Sequence, residues 1–218
     1  MILQFDKSIA QKNPTLFDLI ESKSLLYPVY YILDSRLRDA SNLSNWLAES
    51  IDNPSDELVA ACKGIDTTQD PDYIMTDVLR LVHSLVTYTP DSKIYKTPEK
   101  WQTPKETLTL KTGDCEDGAI LIYCMARHLG VPSNRLLLFA GDVAGGGHCW
   151  CGYRATEYPL NWAFMDWCYW YDSSTPGARP KYSIKDNIIY DDVLNRYLKI
   201  WFAFNEDKSY KGINNATA

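Results

Sequence analysis

In the stretch Gly113-Asp114-Cys115-Glu116-Asp117-Gly118-Ala119-Ile120-Leu121 a glycine turn delivers a cysteine to the first turn of a helix. Ile120, Leu121, Cys124, Met125 and Leu129 recur at helical spacing, and Gly130 with Pro132 stops the pattern, so a helix is predicted from about Cys115 to Leu129. A stripe this apolar has to be buried, and the rest of the chain must pack around it. The start of such a helix carries partial positive charge and unpaired backbone N–H groups. These favour a thiolate and can hold an oxyanion. The plainer reading of the same residues is a buried structural cysteine beside two helix-capping acids.

The chain reads as helices before this element and as strands after it. Leu16 to Leu37 is apolar and interrupted at Pro28; Asn53-Pro54-Ser55-Asp56-Glu57 opens a second helix that Gly64 closes. Asp70-Pro71-Asp72 opens a third, whose face is Ile74, Val78, Leu81, Val82 and Leu85 and which stops between Tyr88 and Pro90. Tyr88 to Leu110 is read as a polar, proline-bearing connection. Beyond the cysteine helix the period changes to two: Arg135 to Ala140 is a strand, and His148 to Arg154 with Asn161 to Tyr171 form a hairpin. Leu194 and Leu198 belong to a helix that runs into a last strand, Lys199 to Asn205. The expectation is a single α+β domain over 1–218, with a helical N-terminal portion (1–90) and a core (91–205) of one helix packed on an antiparallel sheet.

Composition narrows the partners. A net charge of −6 leaves no basic stripe for a phosphate backbone, so nucleic acid is not expected. No stretch approaches a membrane span, and the start Met1 to Lys7 has no export signal, so no membrane partner and a cytoplasmic location are expected. The six cysteines then read as reduced thiols. Zinc is the weaker alternative, because Cys149-x-Cys151 lacks the usual ligand spacing. Nothing in the pattern speaks to oligomeric state.

A cysteine nucleophile needs a base, and the base needs an orienting acceptor. Of the three histidines, His128 shares the helix with Cys115 and lies about 20 Å along it, out of reach. His83 sits within an apolar helix and stays open. His148, following Gly145-Gly146-Gly147 at a strand mouth, is the favoured base. If Arg154 and Leu160 close the hairpin, His148 lies opposite Asp166, which is preferred over Asp172 further along.

Together these residues resemble the transglutaminase-like branch of the papain-like cysteine peptidases, which uses Cys, His and Asp in that order. Trp101-Gln102-Thr103-Pro104-Lys105-Glu106-Thr107-Leu108, then Gly113 to Ala119, and Phe204-Asn205 are most similar to the bacterial transglutaminase-like cysteine proteinases. The resemblance spans Trp101 to Asn205. It implies a papain-like core and a cysteine hydrolase that cleaves peptide or isopeptide bonds of a protein or peptide substrate. Cys115, His148 and Asp166 would be its triad. Thr109 stands where papain has its oxyanion glutamine, and the comparison with animal transglutaminases makes the Trp101 indole one candidate donor. Asp114 and Glu116 flank the thiol and oppose its ionisation, which a cation would relieve. The resemblance implies calcium there, and hard carboxylate oxygens suit that ion. Protein cross-linking by transamidation and a catalytically silent binding module are the alternatives. The small accessory portion favours hydrolysis.

Overall fold

The computed structural model describes residues 40–96, 99–169, 172–191, 196–211 and 213. The expected helix from Leu16 to Leu37 lies outside these described residues. Among the described residues three helices come first: α1 (Ala40–Asp52), α2 (Asp56–Cys62) and α3 (Pro71–Leu85). Asp70 caps α3 as expected, with Pro71 in the first turn. α2 begins later than its Asn-Pro signal suggests. Ser55 is its cap, accepting from the Leu58 N–H at 3.3 Å.

The segment expected to be a connection contains β1 (Thr87–Tyr88), the short α4 (Asp91–Ile94), α5 (Pro104–Leu110) and β2 (Thr112–Gly113). α5 is set by a capping box: Thr103 Oγ1 accepts from the Glu106 N–H and the Glu106 carboxylate accepts from the Thr103 N–H. That signal stands in the sequence as Thr-Pro-Lys-Glu. β1 and β2 pair in parallel and lead directly into α6 (Cys115–His128).

Seven strands follow: β3 (Leu136–Val143), β4 (Gly146–Tyr153), β5 (Trp162–Met165), β6 (Lys181–Lys185), β7 (Ile188–Asp191), β8 (Tyr197–Phe204) and β9 (Ser209–Tyr210). Each pairs antiparallel with the next, and β8 returns to pair with β3, so β3 to β8 close into a ring. The antiparallel sheet expected behind the helix is therefore a barrel, which removes its open edges. The expected helix around Leu198 is instead part of β8. The β6–β7 hairpin turns on Asp186 and Asn187, both at positive φ (51° and 65°), the geometry of a two-residue primed turn.

Alternation assigns the two faces of β3 and β4. Leu137, Phe139 and Trp150 point into the barrel with Trp162, Phe164, Tyr182 and Tyr197. Leu136, Leu138, Cys149, Cys151 and Tyr153 point outward onto α6. Phe139 lies at the centre of the barrel, stacked on Trp150 and edge-on to Trp162. Gly152 leaves room for its ring, since a Cβ there would lie 2.3 Å from it. On the outer side, α6 is buried from Cys115 to Ala126 between the barrel and α1, α2, α3 and α5. Full enclosure explains why this helix is apolar on nearly every side. Asp72 ties α3 to the sheet by accepting from Arg135 and from the Tyr153 hydroxyl, each at 2.6 Å. No helix among the described residues is long and apolar enough to cross a membrane.

Candidate active site

Cys115 is the first residue of α6, and its side chain is buried. Its thiol donates to the Glu116 carboxylate at 3.1 Å. Burial, with the Asp114 and Glu99 carboxylates, pushes the thiol well above its ordinary pKa; Glu116 and the backbone N–H of Cys149 pull the other way. The main chain of β4 thus reaches the sulfur one residue from His148. Trp167 closes over the same turn. Its indole N–H lies 3.4 Å from the Cys115 carbonyl, and its ring occupies the space over Gly118, where a Cβ would meet Nε1 at 2.0 Å. Only glycine fits beneath it.

His148 shares its strand face with Trp150 and sits at the barrel mouth, stacked on Trp150 and met edge-on by Tyr169. His148 Nε2 lies 2.7 Å from Asp166 Oδ2, and both side chains are buried. The hairpin register differs from expectation by two residues. Cys151 pairs with Met165 and Tyr153 with Ala163, and the ladder stops at Met165. Because the shift is even, Asp166 keeps the face shared with His148. Its backbone leaves the strand and turns the carboxylate into the barrel mouth. There Oδ1 accepts from the N–H groups of Cys168 (2.9 Å) and Tyr169 (3.3 Å), and Oδ2 also accepts from the Tyr197 hydroxyl (2.7 Å). Burial alone would raise the Asp166 pKa, but the His148 charge and these donors hold it below the ordinary value. Asp172 lies elsewhere, paired with Arg80 of α3 at 3.0 Å.

Beside His148 opens a groove of about 530 Å³ walled by Tyr88, Val86, Trp167 and Tyr169, with His83 at its rim. His83 therefore faces the same groove, although its helix places it on the opposite wall from β4.

On the other side of the α6 N-terminus the structure gathers five buried carboxylates: Asp91, Glu99, Asp114, Glu116 and Asp117. Asp114 and Glu116 were legible as neighbours of Cys115; Asp91, Glu99 and Asp117 were not, because nothing in their spacing ties them to it. Asp117 is satisfied by the N–H groups of Gln102 (2.8 Å) and Asp114 (3.1 Å). By contrast both oxygens of Asp114, Oδ1 of Asp91 and Oε1 of Glu116 meet no donor. The fully buried Gln102 amide is also unpartnered at both ends. Burial, reinforced by mutual repulsion, raises Asp91 to about 7 and Glu99 to about 8 and pushes Glu116 well above the carboxylate range. The sets Asp91, Glu99, Glu116 and Asp91, Asp114, Asp117 each bring oxygens within 4.8 Å of one another. A crowd of dry, donor-free oxygens has the chemistry of a hard divalent-cation site. The Trp101 indole belongs to this side, donating to Glu99 at 2.9 Å.

The sequence profile described as the Transglutaminase-like superfamily matches residues 59–167, a span that includes α6, His148 and Asp166. No curated protein matches the chain. Among solved structures, calcium-bound Legionella pneumophila LapG is similar at 17% identity and a TM-score of 0.52, covering 83% of this chain and 94% of that one. EGTA-treated Legionella pneumophila LapG is similar at 19% identity and 0.51, covering 79% and 86%. At such identities the likeness is one of fold. Since the superfamily profile takes in half of the residues, from α2 through the barrel hairpin to Trp167, the chain belongs to the transglutaminase-like superfamily.

Proposed function

We propose that the protein is a cysteine peptidase or amidase in which Cys115, His148 and Asp166 act as nucleophile, base and orienting acid. The observation that carries this reading is the buried 2.7 Å pair of His148 Nε2 and Asp166 Oδ2 at the mouth of a groove, one residue along β4 from the main chain beside the Cys115 sulfur. With Nε2 held by Asp166, Nδ1 is the nitrogen left to take the thiol proton. The thiolate adds to the substrate carbonyl, and the Cys115 N–H at the start of α6 stabilises the oxyanion. His148 then returns the proton to the leaving amine as the C–N bond breaks, and water hydrolyses the thioester. Trp101, the other oxyanion candidate, donates to Glu99, which leaves the backbone N–H as the donor in this scheme.

A divalent cation such as calcium would be held by Asp91, Glu99, Asp114 and Glu116, and it would supply positive charge beside the thiol. Calcium-bound and EGTA-treated forms among the structures of similar fold favour that ion. The chain's own contribution is to keep these carboxylates dry and to hold Glu116 within reach of the thiol, where it now accepts the proton that His148 must receive.

Two measurements test the reading. Iodoacetamide at neutral pH, with calcium present, should label Cys115 well ahead of Cys62, whose thiol burial raises to about 11, and His148→Ala should slow that labelling. New N-termini in a protein mixture should appear with the wild type and not with Cys115→Ser. Equal labelling of the two thiols, or no Cys115-dependent cleavage, would overturn it. Incubation with a fluorescent primary amine separates hydrolysis from transamidation: little incorporation is expected. Incorporation exceeding cleavage would make cross-linking the function.

A further inference from the structure

Asp166 receives more donors than an orienting acid needs. Oδ1 takes two backbone N–H groups, while Oδ2 is shared by His148 Nε2 and the Tyr197 hydroxyl, both at 2.7 Å. Tyr197 comes from β8, on the far side of the barrel from the β4–β5 hairpin that carries the pair, and it is 4% exposed. Its ring is fixed by Trp150 (5.0 Å), Phe164 (4.7 Å) and Tyr182 (5.2 Å). Burial and the neighbouring Asp166 carboxylate keep the hydroxyl protonated, so toward Asp166 it can only donate.

We propose that Tyr197 is a positioning residue for the catalytic pair. Its hydroxyl occupies one lone pair of Asp166 Oδ2, leaves the other for His148, and draws off carboxylate charge that would otherwise over-stabilise the imidazolium. The catalytic consequence rests on the function proposed above; the electrostatic one does not. Removing the hydroxyl leaves a more basic carboxylate, which holds the His148 proton more tightly.

Other charged and titratable groups face the pair from every side. Arg179 lies near Asp166 inside the barrel and Arg196 sits over the Tyr169 ring; both stay cationic. Burial holds the Cys149, Cys151 and Cys168 thiols and the Tyr169 phenol above their ordinary values. The Asp114 carboxylate acts on the imidazole from the α6 side, and His83 and Tyr88 line the same groove. A common calcium-containing buffer keeps the α6 charges alike in every comparison.

The test is the imidazole titration followed by NMR, which resolves the three histidines in the full chain without any substrate. In Tyr197→Phe the His148 midpoint should rise by roughly half a unit or more, while His83 and His128 stay in place. A folded Tyr197→Phe with an unmoved His148 curve would reduce Tyr197 to packing and overturn the inference. If that variant does not fold, 3-fluorotyrosine placed at position 197 keeps the ring and strengthens the donor. The midpoint should then fall, and an unmoved one is again fatal. A shift found in a protein that cleaves nothing would leave this inference standing and sink the proposed activity instead.

Discussion

Two groups of carboxylates flank the start of α6, and the fold treats them in opposite ways. Asp166, on the barrel side, is buried with four donors and is stabilised as an anion before any substrate arrives. Asp91, Asp114 and Glu116, on the helical side, are equally dry but keep orphaned oxygens, and they and their neighbour Glu99 have raised pKa values. Burial is common to both, so burial does not decide the charge of a carboxylate; the supply of donors does. A satisfied acid is a finished part of a machine. An unsatisfied cluster is stable only with added protons or an added cation.

The largest effect should come from breaking the satisfied side. Asp166→Asn keeps the shape but removes the charge and permits the wrong imidazole tautomer, so turnover should drop by about a thousandfold or more, with folding preserved. Full activity in that variant would dissolve the contrast. Next in size is calcium itself: at a hundredfold excess over its Kd it should stabilise the fold by about 2.7 kcal/mol in thermal or urea unfolding, and Asp114→Asn should remove most of that gain. Identical curves with calcium and with chelator would leave the acid cluster to protons alone.

The pH dependence sharpens the comparison further. In chelator, Glu99 with a folded pKa of about 8 and Asp91 at about 7 hold protons that the unfolded chain releases near pH 4. The unfolded state then binds fewer protons across that window, so stability should fall as pH rises from about 4 to 8. Saturating calcium should flatten or reverse the slope. Melting temperatures at pH 5 and pH 8, with and without chelator, check the sign. The smallest effect expected is that of Trp101→Phe, which strips Glu99 of its indole donor. It should cost about 1–2 kcal/mol in chelator at neutral pH, and less with calcium bound.

How much of this could be read in the sequence depends on how local the signal is. The cysteine helix was legible because its stop signals and apolar spacing lie within a dozen residues or so of one another. The His148 and Asp166 neighbourhood was legible through strand parity, which survives an even register shift. Two local signals were present but passed over: the Thr103/Glu106 capping box and the Asp186-Asn187 turn between alternating strands. Glu99, Asp91 and Tyr197 are different. They arrive at the site only through tertiary packing, and an acid after a proline or a tyrosine in a strand has many ordinary explanations. Ring closure was hidden for the same reason, because nothing in β8 names β3 as its partner.

That closure has a kinetic consequence. Helix α6 and the β3–β4 hairpin join neighbouring segments and can form early, whereas pairing Leu138 with Phe204 must first bring distant parts of the chain together. Tyr197 rides on β8, the strand whose pairing with β3 spans this long separation in sequence. A refolding chain should therefore regain helix signal and tryptophan burial before the Asp166 carboxylate has its full set of donors. Recovery of chemistry at Cys115 should trail both, timed by that strand rather than by the helix on which the cysteine sits.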